Sequence, residues 1–108
     1  MQATREEAAR PLYKRALRIS EQTLGPTHPA VAVSLTNLAE LLRVTGEYAA
    51  ARPLYERALT IDEQALGPTH PDVAISLNNL AELYQAMGEY GKADSLRQRA
   101  LSIRRKAM

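Results

Sequence analysis

The chain of 108 residues contains no cysteine, no tryptophan and no phenylalanine. Without cysteine there are no disulfides, zinc ribbons, iron–sulfur clusters or thiol nucleophiles, and a cytoplasmic compartment is the expectation. No apolar run approaches the ~18 residues of a membrane span, and the N-terminus lacks the apolar core of a signal peptide. Charge of one sign is also missing: 14 Lys+Arg stand against 12 Asp+Glu, a net +2. That balance is too small to announce nucleic acid or a membrane surface. Glycine-rich phosphate loops and dinucleotide fingerprints are absent, so no cofactor is expected. What is present is ordinary for one globular domain: 45 % hydrophobic and 24 % charged residues, in a length that buries roughly 65 % of its unfolded surface.

The organising feature is internal repetition. Setting residue i against residue i+42 gives 66 pairs, of which 37 are identical. Leu24-Gly25-Pro26-Thr27-His28-Pro29 recurs as Leu66-Gly67-Pro68-Thr69-His70-Pro71, and Asn37-Leu38-Ala39-Glu40-Leu41 recurs as Asn79-Leu80-Ala81-Glu82-Leu83. Chance does not produce this, and a repeat decides the fold class before any other argument.

Within each unit the apolar spacing is helical. Val73, Leu77, Leu80, Ala81, Tyr84 and Met87 share one face of a 3.6-residue period, as do Val31, Leu35, Leu38, Ala39 and Leu42. A second amphipathic element runs through Tyr48, Ala51, Leu54, Tyr55, Ala58, Leu59, Ile61 and Ala65. Small residues at Ala39 and Ala81 let neighbouring helices approach closely. Gly46 and Gly88 mark tight helix–helix turns, and Gly25 and Gly67, each followed by proline, end the longer helices. Thr27 or His28 is positioned to cap the next helix with Pro29 in its first turn, and Thr69 with Asp72 forms a candidate capping box. Thr4 and Glu7 form another at the start of the chain. Pro11 and Pro53 lie inside helices, where a kink is expected. Calling the short helix A and the long one B, the chain reads all-α, five helices in the order B-A-B-A-B. Residues 1–25 form a lone B helix, and 26–67 and 68–108 are two repeats. Thr4 aligns with the turn glycines and Met108 with Leu66, so both ends fall at helix borders, as in a segment of a longer array.

Leu77, Asn79, Leu80, Ala81, Tyr84, Gly88, Tyr90, Ala93 and Ala100-Leu101 match the offsets of a tetratricopeptide repeat. The preceding copy matches through Leu35, Asn37, Leu38, Ala39, Gly46, Tyr48, Ala51 and Ala58-Leu59, with Leu42 replacing the aromatic residue. The unit resembles the long repeat of kinesin light chains and of many bacterial arrays, its extra residues falling in the B helix and the Gly-Pro-Thr-His-Pro loop. The resemblance implies an α-solenoid of antiparallel helix pairs in a right-handed superhelix. It also implies a non-enzymatic protein–protein interaction module whose A helices line a concave face for an extended peptide.

Asn37 and Asn79 carry the best functional signal. They hold equivalent A-helix positions, and a carboxamide both donates and accepts, so the pair can grip a peptide backbone without choosing its sequence. Asparagine costs a helix about 0.5 kcal/mol relative to alanine, so its repetition asks for a reason; the competing reason is a hydrogen bond that orders the stack. Helical geometry adds Val33, Thr36, Glu40, Arg43 and Val44 to that wall, with Ile75, Asn78, Glu82, Gln85 and Ala86. Glu40 and Glu82 make it partly acidic, which does not favour a carboxylate-terminated ligand.

Other chemistries find less support. His28 and His70 occupy equivalent loops, but two histidines in successive repeats do not complete a zinc shell. Ser34 and Ser76 read as repeat features and not as nucleophiles. Arg10, Lys14, Arg15 and Arg18 crowd the first helix, and Arg97, Arg99, Arg104, Arg105 and Lys106 the last. Solvated helix faces explain them better than nucleic-acid binding, since Glu6, Glu7, Glu21 and Asp94 dilute the patches. The five tyrosines mostly fall at core-stripe positions, where packing explains them better than base stacking. At the two ends, Leu12 and Leu17, and Leu96, Leu101 and Ile103, are expected to be partly uncovered. A homo-oligomer, in a structural or engineered scaffold, is therefore the alternative to a peptide or protein ligand.

Overall fold

The computed structural model describes residues 4–107; Met108, the residue aligned above with Leu66, lies outside them. Five helices appear in the expected order: α1 (Arg5–Leu24), α2 (Pro29–Val44), α3 (Tyr48–Leu66), α4 (Pro71–Ala86) and α5 (Tyr90–Ala107). There is no strand among the described residues. Each helix packs against the next in sequence, giving a slab of 48 × 35 × 20 Å. α1, α3 and α5 are the B helices; α2 and α4 are the A helices.

Local chemistry explains the borders. Thr4 Oγ1 accepts from the Glu7 N–H at 3.1 Å and caps α1. At α2 and α4 the caps are histidines: His28 Nδ1 accepts from the Ala30 N–H at 3.0 Å and His70 Nδ1 from the Asp72 N–H at 3.1 Å. His70, not Thr69, thus occupies the cap of α4, with Pro71 in the first turn. The A helices end in glycine turns in which the Glu47 N–H reaches Leu42 O at 2.7 Å and the Glu89 N–H reaches Tyr84 O at 2.8 Å. These six-to-one bonds close a left-handed turn at Gly46 and Gly88. The B helices end differently. Gly67 sits at φ 92° and ψ 150°, a region essentially reserved for glycine. α1 and α3 run without a break through Pro11 and Pro53.

The core follows the repeat stripes. Val31, Leu35, Leu38, Ala39 and Leu42 are buried, and so are Val73, Leu77, Leu80 and Ala81. Tyr84 and Met87 are half-buried against the same core. Leu41 and Leu83 are buried too, although they lie off the predicted stripes. Ala65 falls on the exposed side of α3. One cluster joins α2, α3, α4 and α5; a smaller one joins α2 and α3 through Val31, Ala32, Leu35, Ala58 and Ile61. α1 has no fully buried residue, because only one A helix packs on it. Two ion pairs one period apart tie successive B helices, Arg57 to Glu21 at 3.0 Å and Arg99 to Glu63 at 2.6 Å.

Two measurements check this account. Gly67→Ala and Gly91→Ala both place a methyl group in open space. Thermal unfolding should show the first destabilising by about 2 kcal/mol through backbone strain. The second, inside α5 at ordinary φ, should be neutral or stabilising by about 0.5 kcal/mol. His70→Ala removes a cap and should cost about 1 kcal/mol, seen as a melting point lower by about 4 °C.

Candidate functional site

α2 and α4, together with Asp62 and Leu66 of α3, line an open cleft of about 270 Å³. Five of the residues assigned to the A-helix wall meet here: Val33, Thr36 and Asn37 from α2, Ile75 and Asn79 from α4. The i, i+3, i+7 spacing of each helix makes this face, and small residues at Ala32 and Ser76 leave it hollow. Val33 and Ile75 keep 61 % and 54 % of their surface exposed, so they present apolar area to the cleft and not to the core. Asn37 is exposed and Asn79 half-buried. Among the described residues, neither carboxamide is hydrogen-bonded to a neighbouring helix. The Thr36 hydroxyl is turned back onto its own helix, donating to Ala32 O at 2.9 Å.

Helical spacing did not assign Asp62, Asp72 or Ser76 to this cleft, which all three line. Ser76 is buried and donates to Asp62 Oδ2 at 2.8 Å. Burial pushes the Asp62 carboxyl above the usual aspartate value; the Ser76 hydrogen bond opposes this, the nearby charge of Asp72 adds to it, and His70 opposes it. The signal lay in where the copies differ: Asp62 replaces Ser20 and Asp72 replaces Ala30 across the period.

The remaining wall residues divide between other places. Glu40 joins Asn37 and Val44 in a second cavity of about 240 Å³ beside α1. Arg43, Glu82, Gln85 and Ala86 line a third, of about 420 Å³, near Tyr90. Asn78, the repeat partner of Thr36, lines none of these. Glu40 and Arg43 are moreover engaged with each other. The Arg43 guanidinium holds the Glu40 carboxyl below its usual range, against the effect of burial, and the Tyr55 hydroxyl assists by donating to Glu40 at 2.7 Å. Tyr55 in turn is pushed upward, first by burial and then by Glu40. In the next repeat the corresponding link runs from Arg97 to Gln85. Glu40 thus joins α2 to α3 through Tyr55, with Arg43 paired to it within α2.

Both histidines serve as caps, and among the described residues no three potential ligands converge on a metal site. Of the basic residues weighed for nucleic acid, Arg10 pairs with Glu47, Arg99 with Glu63, and Arg97 bonds Gln85. At the chain ends, Leu12 and Leu101 are exposed at 66 % and 47 %, while Leu17 and Leu96 are half-buried against the core. Ile103 is a correction: it is 4 % exposed, because its side of α5 is the one that packs on α4. No described helix is long and apolar enough to cross a membrane.

The comparisons agree with this architecture. The tetratricopeptide repeat model matches residues 1–64 and again residues 34–106. A search of curated protein sequences finds no match. Among solved structures, BtubC (BKLC) from P. vanneervenii superposes with a TM-score of 0.89 at 29 % identity, covering 94 % of this chain and 40 % of that one. A kinesin-light-chain-like protein of Podosopora anserina, with nearly identical TPR-like repeats, superposes with a TM-score of 0.86 at 28 % identity, covering 95 % and 49 %. The chain spans less than half the length of either. Matched along nearly its whole length by the repeat model and by these structures, the chain belongs to the tetratricopeptide repeat family, in its kinesin-light-chain-like form.

Proposed function

We propose that this chain is a non-catalytic binding module that takes an extended segment of a partner protein in the cleft between α2 and α4. The observation that carries the reading is the placement of Asn37 and Asn79. They stand one repeat apart, both line the cleft, and neither side chain is spent on the stack. A carboxamide offers a donor and an acceptor at once, which is what a peptide backbone needs from each side. Val33 and Ile75 add apolar surface for alternate side chains of the ligand.

The test is the double variant Asn37→Ala, Asn79→Ala against a peptide library. Binding should weaken by about tenfold or more, the loss of one or two hydrogen bonds. The melting point should hold or rise, because alanine is the better helix former by about 0.5 kcal/mol at each site. A fall in melting point with unchanged binding would show instead that the asparagines order the helices.

A second reading rests on a separate observation. α1 presents Leu12 and Ile19, 66 % and 49 % exposed, on the face whose equivalents Leu54 and Ile61 in α3 pack on α2. Self-association through α1 would cover them. Light scattering over a wide concentration range should then show a mass that rises for the wild type and stays monomeric for Leu12→Glu, Ile19→Glu; a constant monomer removes this reading.

A further inference from the structure

We infer that the cleft selects segments carrying a lysine or arginine, whose cation sits at Asp62 and Asp72. The inference rests on the peptide-binding reading and adds the chemistry of the ligand.

The first ground is how this chain treats its other acids that face a neighbouring helix. Glu21 is paired with Arg57, Glu63 with Arg99, Glu47 with Arg10, and Glu40 with Arg43. These four half-buried glutamates each have an arginine and half-buried Glu89 has Lys92, whereas among the described residues half-buried Glu6, beside α2, has no ion pair. Asp62 has a hydroxyl, Ser76, and no cation lines the cleft into which it is built. Water is partly withdrawn from the carboxylate, and the second carboxylate nearby makes its ionised form harder still to hold. The second ground is that the two acids depart from the repeat together. At the equivalent positions the preceding copy has Ser20 and Ala30, and both changes bring a carboxylate to one cavity. The third is shape. The cleft is otherwise lined by neutral groups, apolar at Val33, Ile75 and Leu66 and amide at Asn37 and Asn79. Such a lining holds an extended chain, and the two carboxylates are its net charge. A lysine or arginine side chain reaching them has its apolar stem against Val33 or Ile75 and its charged head on oxygen acceptors.

The variant Asp62→Asn tests this without depending on a damaged fold. Asparagine keeps an acceptor for Ser76 and removes the charge. A carboxyl whose folded pKa is raised binds its proton more tightly when folded. Its contribution is therefore fully present below the ordinary value of 3.8 and is lost as pH rises through the folded value. At neutral pH the ionised Asp62 is a standing cost, and Asp62→Asn should melt higher than wild type, with the gain vanishing below that ordinary value. The probe for binding is an array of end-capped peptides in which each position in turn carries Lys, Arg, Gln or Glu. Wild type should prefer Lys or Arg over Gln at one position by about tenfold, the worth of a charge-assisted contact, and should reject Glu there. Asp62→Asn should bring that preference close to unity while raising the melting point, and Asp72→Asn should reduce it.

A wild-type array without a cation preference, or a preference untouched by Asp62→Asn, overturns the inference. If peptides bind through Asn37 and Asn79 but ignore charge, only this inference fails. If no peptide binds at all, the reading it rests on fails with it.

Discussion

Close approach of successive helices at alanine is the constraint on which the rest of the structure depends. Ala39, Ala51, Ala81 and Ala93 have no exposed surface, and each lets a neighbouring helix come near enough for leucine, valine and tyrosine side chains to interlock on either side. Every helix is amphipathic and none can bury its stripe alone, so each depends on its neighbours in sequence. α2, α3 and α4 have neighbours on both sides, and α2 and α4 bury the most; α1 has one and buries nothing completely. The cleft follows from the same rule, since A helices set apart by an intervening B helix leave a hollow where their facing residues are small.

Charge is distributed with equal economy. Arginines of one helix meet glutamates of another at a constant offset along the chain, as Arg57 meets Glu21 and Arg99 meets Glu63. Partly exposed pairs like these contribute little energy, typically 0–1 kcal/mol, but they satisfy half-buried groups and discourage slippage between repeats. Where the copies diverge, the link is rebuilt. Tyr55 becomes Arg97 while Arg43 becomes Gln85, so the bond between A helix and following B helix persists with different atoms. Asp62 departs from this pattern: its partner is neutral, and its surroundings favour its protonated form. The fold matches Glu21, Glu47 and Glu63 with an arginine of another helix and leaves Asp62 facing a cleft, at a cost to its ionised form.

Much of the architecture was legible because it is written locally. The period, the stripe through Val73, Leu77 and Leu80, the glycine turns and the histidine before each Pro-initiated helix involve residues within a few turns of one another. The wall of the cleft was half legible. Helical spacing correctly grouped Val33, Asn37, Ile75 and Asn79, since one helix face is a local property. It put Asn78, Glu40 and Arg43 on the same wall, and the structure places them outside the cleft, because whether a side chain on that face meets solvent, a cleft or an ion-pair partner depends on what stands opposite. Ile103 failed similarly: being near an end of the chain is not the same as lying on an uncovered face.

The sequence by itself therefore determined the number, order and borders of the helices, for their causes lie in consecutive residues: apolar period, cap, and a backbone position tolerable only to glycine. Only the tertiary structure decided which polar groups remain free. Asp62 lies ten residues before Asp72 and on a different helix, and nothing in that spacing says that they share a cavity with Asn37. The loss of water that sets Asp62 apart arises where α2, α3 and α4 converge, and dielectric environment is a property of that convergence, not of any stretch of chain.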